Sequence, residues 1–466
     1  MSDRRSRATL VATLALLVFP AIAGCGDDPE LVLQIRVPGD DQGLFKAVTQ
    51  LNLTASRDDV VLAQQSFSAS VSTVSLIGVS HGPRTIVTLE GVDRSNRVIA
   101  FGQTCPLGFE GANTVEPLYF APTSFFAPTA DTPAARYRPI GAALSDGTVL
   151  LVGGNDGGGT ALSTVEMFVP GAATFSAVED HAVARKSAQS AVLPDVGLLI
   201  VGGFGADDKP VADAEVFLDG QRRFATITDP RMARIDHQVV TLPDGRALVT
   251  GGMALAGTTP PAWTTLATTL YVAVMDDGTY KVSPAPTLAE ARSGHAATVA
   301  IGTPIVFGGY DVNGLPLDTI EAIDIGNGTS QVIGHLKTPR AEATASVLPD
   351  GSILLVGGTG PDGLPLADAE LFNPVTRSTE IKDLSFPRHG HSATVLPDGR
   401  VLVAGGIMNG EPIADVELFR PDYRVFVNER KLGTARAQHL ALRLCDETVL
   451  LMGGGTGAEL YTSTPQ

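Results

Sequence analysis

The chain has 466 residues, 51 of them glycine and 31 proline, with 44% apolar and only 18% charged side chains. That apolar share excludes wholesale disorder, and glycine, at about 1 kcal/mol per helical site, excludes a helix-rich protein in favour of short strands and tight turns. A net charge of −17, with no cluster of Lys and Arg after the first seven residues, excludes nucleic acid as a partner.

The chain opens on Arg4, Arg5 and Arg7, followed by an apolar stretch from Leu10 to Ala23 that Pro20 interrupts. The stretch is shorter than the roughly 20 residues of a membrane-spanning helix and reads as an export signal. Ile22-Ala23-Gly24-Cys25 resembles the lipobox of bacterial lipoproteins. The resemblance implies a signal over residues 1–24, cleavage before Cys25 and a diacylglycerol on its thiol. It also implies a lipid-anchored protein of the outer membrane or cell surface, with the periplasmic face as the alternative. Loss of three arginines and one aspartate with the signal takes the net charge from −17 to −19. The remaining cysteines, Cys105 and Cys445, are too far apart to be paired from sequence, and separate thiols are expected over a bridge.

Residues 25–116 alternate apolar and polar positions, as LVLQIRV at 31–37, QLNLTAS at 50–56, TVSLIGV at 73–79, TIVTLEGV at 85–92 and RVIAFGQ at 97–103. Half-buried strands at this spacing predict a small β-sandwich. It resembles an immunoglobulin-like domain, expected to be a spacer between the lipid and the C-terminal repeats.

From 117 to 466 the sequence repeats. Glycine pairs stand at 153, 202, 251, 308, 357, 405 and 453, each behind an apolar run such as VLLV at 149–152 or ILLV at 353–356. An arginine lies 17 residues before the first glycine at Arg136, Arg185, Arg234, Arg340, Arg388 and Arg436, and 16 before at Arg292. A glutamate follows the pair at Glu166, Glu215, Glu321, Glu370, Glu417 and Glu459, and an aromatic nine later at Phe175, Phe224 and Phe426. Turns such as Pro243-Asp244-Gly245 and Pro397-Asp398-Gly399 join the first two strands of a unit. Four strands in a period near 50 residues predict a propeller blade. Diglycine, upstream arginine and downstream glutamate resemble the kelch-repeat family, which implies an all-β, seven-bladed kelch-type β-propeller, galactose-oxidase-like, behind the Ig-like β-sandwich. The last unit ends before its fourth strand, so residues 118–127, with Phe126 in phase, are expected to supply it and close the ring.

The repeated arginines and glutamates are expected to form structural Arg–Glu bridges, because periodicity is what a structural role predicts. His237, His295, His391 and His439 share one phase, three after the arginine, and are expected to be buried polar residues rather than metal ligands. Galactose oxidase needs two tyrosines, two histidines and a cysteine cross-linked to a tyrosine for its copper. No tyrosine here adjoins a histidine, so no metal and no cofactor are expected. The third unit carries about eight extra residues around 254–266, with the only tryptophan, Trp263. Trp263, Tyr310, Asp311 and Asp362 lie on the loops of one face and make the candidate binding face. The expected function is non-catalytic binding of a protein or glycan by a monomer anchored to the membrane. The alternative is a carbohydrate-active enzyme, oxidase- or epimerase-like, with its site at the channel mouth. Paired carboxylates and a histidine lining one funnel would favour that alternative.

Overall fold

The computed structural model describes residues 30–465 apart from 39–41, 70–73, 78–81, 110–113, 130–134, 179–181, 258–261, 276 and 456. The signal at 1–24 and the lipidated Cys25 lie outside the described residues.

The structure is all-β. Among the described residues from Phe125 onward, the strands form seven four-stranded antiparallel sheets, here sheets I to VII, and two short added hairpins. Their first strands are Ile140–Ala143, Gln189–Leu193, Gln238–Thr241, Ala296–Ala300, Thr344–Val347, Ser392–Val395 and Leu440–Arg443. Each touches the first strand of the next sheet, and that of sheet VII touches that of sheet I, so the sheets stand in a closed ring. Both faces of each sheet are therefore covered. This is why the second strands, such as Val149–Val152 and Ile353–Val356, are buried at every position and read as unbroken apolar runs. An apolar cluster fills each of the seven gaps between neighbouring sheets. At about 25 cal/mol per Å2 of apolar area, this burial is the main stabilising term.

The Pro-Asp-Gly turns form as their residues dictate. Gly245, at φ 84°, donates to Leu242 O at 3.0 Å, and the Asp244 carboxylate accepts from Arg246 N at 3.1 Å. The outer strand of sheet VII is Phe125–Pro128, paired antiparallel with Ala458–Thr462. The strand expected over 118–127 is thus shorter. Thr114–Tyr119 and Ala121–Pro122 instead pair with strands of the front domain, which runs past the expected boundary at 116.

That front domain has two sheets. One orders Val74–Ile77, Glu30–Arg36 and Thr114–Tyr119; the other orders Val60–Ser68, Gln50–Arg57, Gly82–Val92, Val98–Gln103 and Ala121–Pro122. Leu31, Leu33 and Leu118 from the first meet Leu51, Leu53, Val87 and Leu89 from the second in one core, as alternation predicts. The strand Val60–Ser68 and the helix Gln42–Ala47 were not anticipated. Val60 and Val61 lie exposed on that strand, so its apolar pattern carries no simple burial signal.

The front domain is fastened to the ring rather than held away from it. Tyr119 and Ala121 pack into the cluster between sheets VII and I. Cys105 and Cys445 form a disulfide across 340 residues of sequence, which corrects the expectation of separate thiols. Sequence separation gave no hint of it, because ring closure is what brings the two ends together.

Candidate active site at the channel mouth

The repeated arginines come first, because they set the geometry. All seven are at most 2% exposed. Each donates from Nη1 to the carbonyl of the first glycine of its own sheet, at 2.7–3.1 Å. Six also pair with the repeated glutamate: Arg136–Glu166, Arg185–Glu215, Arg292–Glu321, Arg340–Glu370, Arg388–Glu417 and Arg436–Glu459, at 2.7–3.0 Å. In sheet III the strand register puts Leu270 where the others have glutamate. Arg234 there leans on the carbonyls of Arg231, Gly251 and Thr268. Burial, with the Arg231 charge beside it, pulls this guanidinium down to about 10, so it stays charged at neutral pH.

The glycine pairs meet the arginine backbone of the following sheet. From sheet I to sheet VI the second glycine donates to that carbonyl at 2.8–3.0 Å. A Cβ on the first glycine would lie 2.1–2.8 Å from the same oxygen, and its φ is 54–62°. Only glycine fits both demands.

Of the four repeated histidines, His237, His295 and His391 are buried and His439 is partly buried. Three reach across to a hydroxyl of the preceding sheet: His295 to Thr250 at 2.9 Å, His391 to Thr344 at 3.0 Å and His439 to Ser392 at 2.8 Å. Burial and the neighbouring arginine push His237 and His439 down to about 3, so both are neutral. Among the described residues no three His, Cys, Asp or Glu stand close enough to share a metal ion.

Two residues after each arginine the chain takes a left-handed turn. The seven positions are Arg138, Ser187, Asp236, Gly294, Glu342, Gly390 and Gln438, all at φ 50–62°. Backbone bonds link neighbours around the axis: Gly294 N to Asp236 O, Glu342 N to Gly294 O and Gln438 N to Gly390 O at 2.7 Å, and Arg138 N to Gln438 O at 3.0 Å. This ring floors a cavity of about 360 Å3, also lined by His389, Gln189 and Gln238. The positions were missed at the sequence level. Their signal was a phase that keeps its backbone but varies its side chain, Arg, Ser, Asp, Gly, Glu, Gly, Gln, between constant neighbours of the repeat.

The cavity holds two carboxyl groups whose surroundings shift them in opposite directions. Glu342 lies 3.1 Å from His389 Nδ1 and accepts from Thr359 Oγ1 at 3.1 Å. The bond from His389 holds its carboxyl below the usual range. Burial, then the charge of Glu342, push Asp236 up, against an opposing pull from Arg138. Gly294 separates them in the ring, and its missing side chain leaves space beside Glu342 and the ring of Tyr310. Burial, then Glu342, raise the Tyr310 phenol. Arg138 bonds to Gln438 Oε1 at 2.8 Å and Ser187 Oγ at 2.9 Å, neutral partners that leave its charge facing the cavity.

The structure brings only part of the expected binding face to this mouth. Tyr310 borders it through Gly294. Asp311 and Asp362 instead shape their own loops: Asp311 accepts from Asn313 N and Leu315 N at 2.7 and 2.8 Å, and Asp362 from Leu364 N at 3.0 Å. Trp263 lies on a hairpin, Met253–Ala256 with Ala262–Thr265, and its ring meets Phe204 edge-on at 5.9 Å.

No protein-family model matches the chain, and no curated protein matches it. Among solved structures it is similar to a novel fungal alcohol oxidase of the AA5 family in complex with copper. The identity is 15%, the TM-score 0.57, and the match covers 73% of this chain and 76% of that one. The chain thus has a galactose-oxidase-like fold. The expectation of a non-catalytic binding module is corrected on two findings. The fold resembles that of an alcohol oxidase, and the mouth brings two carboxylates and a histidine to one cavity. The copper chemistry named for that neighbour does not fit the residues present. Cys105 and Cys445 are bonded to each other, so neither can cross-link to a tyrosine.

Proposed function

We propose that the chain is a carbohydrate-active enzyme on a seven-bladed kelch-type propeller, working by acid–base chemistry at the channel mouth. One observation carries this reading: Asp236 and Glu342 line one cavity, interact, and are shifted in opposite directions. Two titratable groups pushed apart in this way mark an acid and a base. Glu342, ionised, removes the proton from the carbon beside a sugar carbonyl. Asp236, protonated, gives its proton to the carbonyl oxygen. The resulting enediol regains a proton at carbon and returns Asp236 its own, which isomerises or epimerises the sugar with no net gain or loss of atoms. Arg138 offsets the charge that develops on the oxygen. The amides of Gln189, Gln238 and Gln438 suit the hydroxyls of a neutral sugar. The disulfide is of the kind that persists in oxidising compartments. It supports the reading of residues 1–25 as the signal and lipid anchor of an exported protein.

Neutral aldoses and short oligosaccharides incubated with the protein in D2O, followed by proton NMR, test the reaction. Loss of the carbon-bound proton signal beside the carbonyl is expected, about 100-fold slower or worse in Asp236→Asn and Glu342→Gln. Gly294→Asn is the control for the cavity. Asparagine tolerates the left-handed backbone, and its Cβ would clear Tyr310 Cδ2 by 3.4 Å, so turnover should fall with the fold intact. Exchange that persists in both carboxylate variants would refute the assignment.

A further inference from the structure

Outside the ring of seven turns lies a second tier. Asn155, Phe204, Met253, Tyr310, Thr359 and Ile407 each come directly after a glycine pair. Each bridges to the residue just after the repeated arginine of its own sheet, as Lys186 to Phe204 and Ser293 to Tyr310. The residue after Lys186 is Ser187, which lines the mouth cavity. Phe204 therefore stands next to the sheet II wall of the cavity, one step outward from Ser187.

Among the described residues, sheet III carries the longer of two added hairpins between second and third strands, four residues by four against two by two in sheet VI, and its Trp263 reaches Phe204 of sheet II. Leu255 and Trp263 are directly opposed across it and so share one face. On that face Trp263 is 44% exposed and Leu255 38%, while the Trp263 and Phe204 rings meet at a steep angle with centroids 5.9 Å apart. The indole is thus steadied by a second ring while nearly half of it stays open to solvent.

We infer that Trp263 with Phe204 is an outer sugar subsite, and that the natural substrate is a neutral oligosaccharide. Its terminal unit enters the mouth and a later unit stacks on the Trp263 indole. The chemistry of this pairing is general: the apolar face of a pyranose ring meets the aromatic face, while its hydroxyls stay in water. The cavity is open to solvent, so the rest of a chain whose end lies in it can leave past the sheet II wall, beside which Phe204 stands. This rests on the reading of the mouth as a sugar site.

Trp263 is the only tryptophan, so the protein's indole emission reports this ledge alone. The full chain is titrated with neutral gluco-, galacto- and manno-oligosaccharides of one to six units. Emission is expected to shift with chains of three units or more and to stay unchanged with monosaccharides. Trp263→Ala should raise KM about tenfold for the longer chains, leave kcat alone, and leave monosaccharide kinetics alone. Emission that ignores every length, or a Trp263→Ala effect equal for all lengths, overturns the subsite. Asp236→Asn separates the two readings. It should abolish turnover while the emission shift persists; turnover that survives Asp236→Asn with the shift intact sinks the mouth chemistry and leaves the ledge standing.

Discussion

Asp236 and Glu342 differ by environment rather than by type. Glu342 accepts from His389 and Thr359, and these bonds favour its charged form. Asp236 is held up by burial, and Glu342 itself disfavours a second charge. Arg138, His389 and the Tyr310 phenol are the other ionisable groups that act on the pair. If Glu342 is the base and Asp236 the acid, activity rises as pH passes the lowered Glu342 value. It falls as pH passes the raised Asp236 value, giving a bell bounded by the two groups. His389→Gln removes the largest cause of the Glu342 shift, so the rising limb should move to higher pH while the falling limb stays. A pH–rate profile of the variant that matches the parent would place the base elsewhere.

Between elements, the working part is the junction of sheets. The arginine side chain clamps its own sheet, and its carbonyl docks on the glycine pair of the sheet before. Sheet III shows what the glutamate adds. Arg388→Met would strand the fully buried Glu417 without its cation, and an unpaired buried charge costs about 3–5 kcal/mol. Arg234→Met strands only carbonyl oxygens, because Leu270 replaces the carboxylate, and should cost about 1–3 kcal/mol. Urea midpoints of the two variants check this. A larger loss in Arg234→Met would mean that the carboxylates do not dominate the clamp. The register of strands, not the repeat spacing, exposed the missing glutamate. Sequence phase located six of them, but the extra residues of the third unit blurred the seventh position.

Across the whole molecule, the chain closes twice. Phe125–Pro128 completes sheet VII, with Phe126 and Tyr461 ring centroids 4.7 Å apart. The Cys105–Cys445 disulfide then ties the front domain to the same sheet. A bridge that closes so long a loop restricts the unfolded chain strongly. Its removal should cost about 2–5 kcal/mol. Cys105→Ser, or reduction of the parent, should lower the melting temperature and split the calorimetric transition into one for the front domain and one for the ring. A single unshifted transition would show that the cluster around Tyr119 and Ala121 holds the two together unaided.

The sequence by itself determined the all-β class, the seven-fold recurrence, most strands of the front core and the pairing logic of arginine and glutamate. These come from local rules: periodicity, turn residues and burial on both faces of a strand act over a few residues and leave their mark at fixed spacing. Only the tertiary structure decided which variable residues face one another. Asp236, Glu342 and His389 lie 47 or more residues apart in every pairing, and nothing local joins them. Ring closure does, by bringing one turn of each sheet to the axis, and the same closure sets Cys105 beside Cys445.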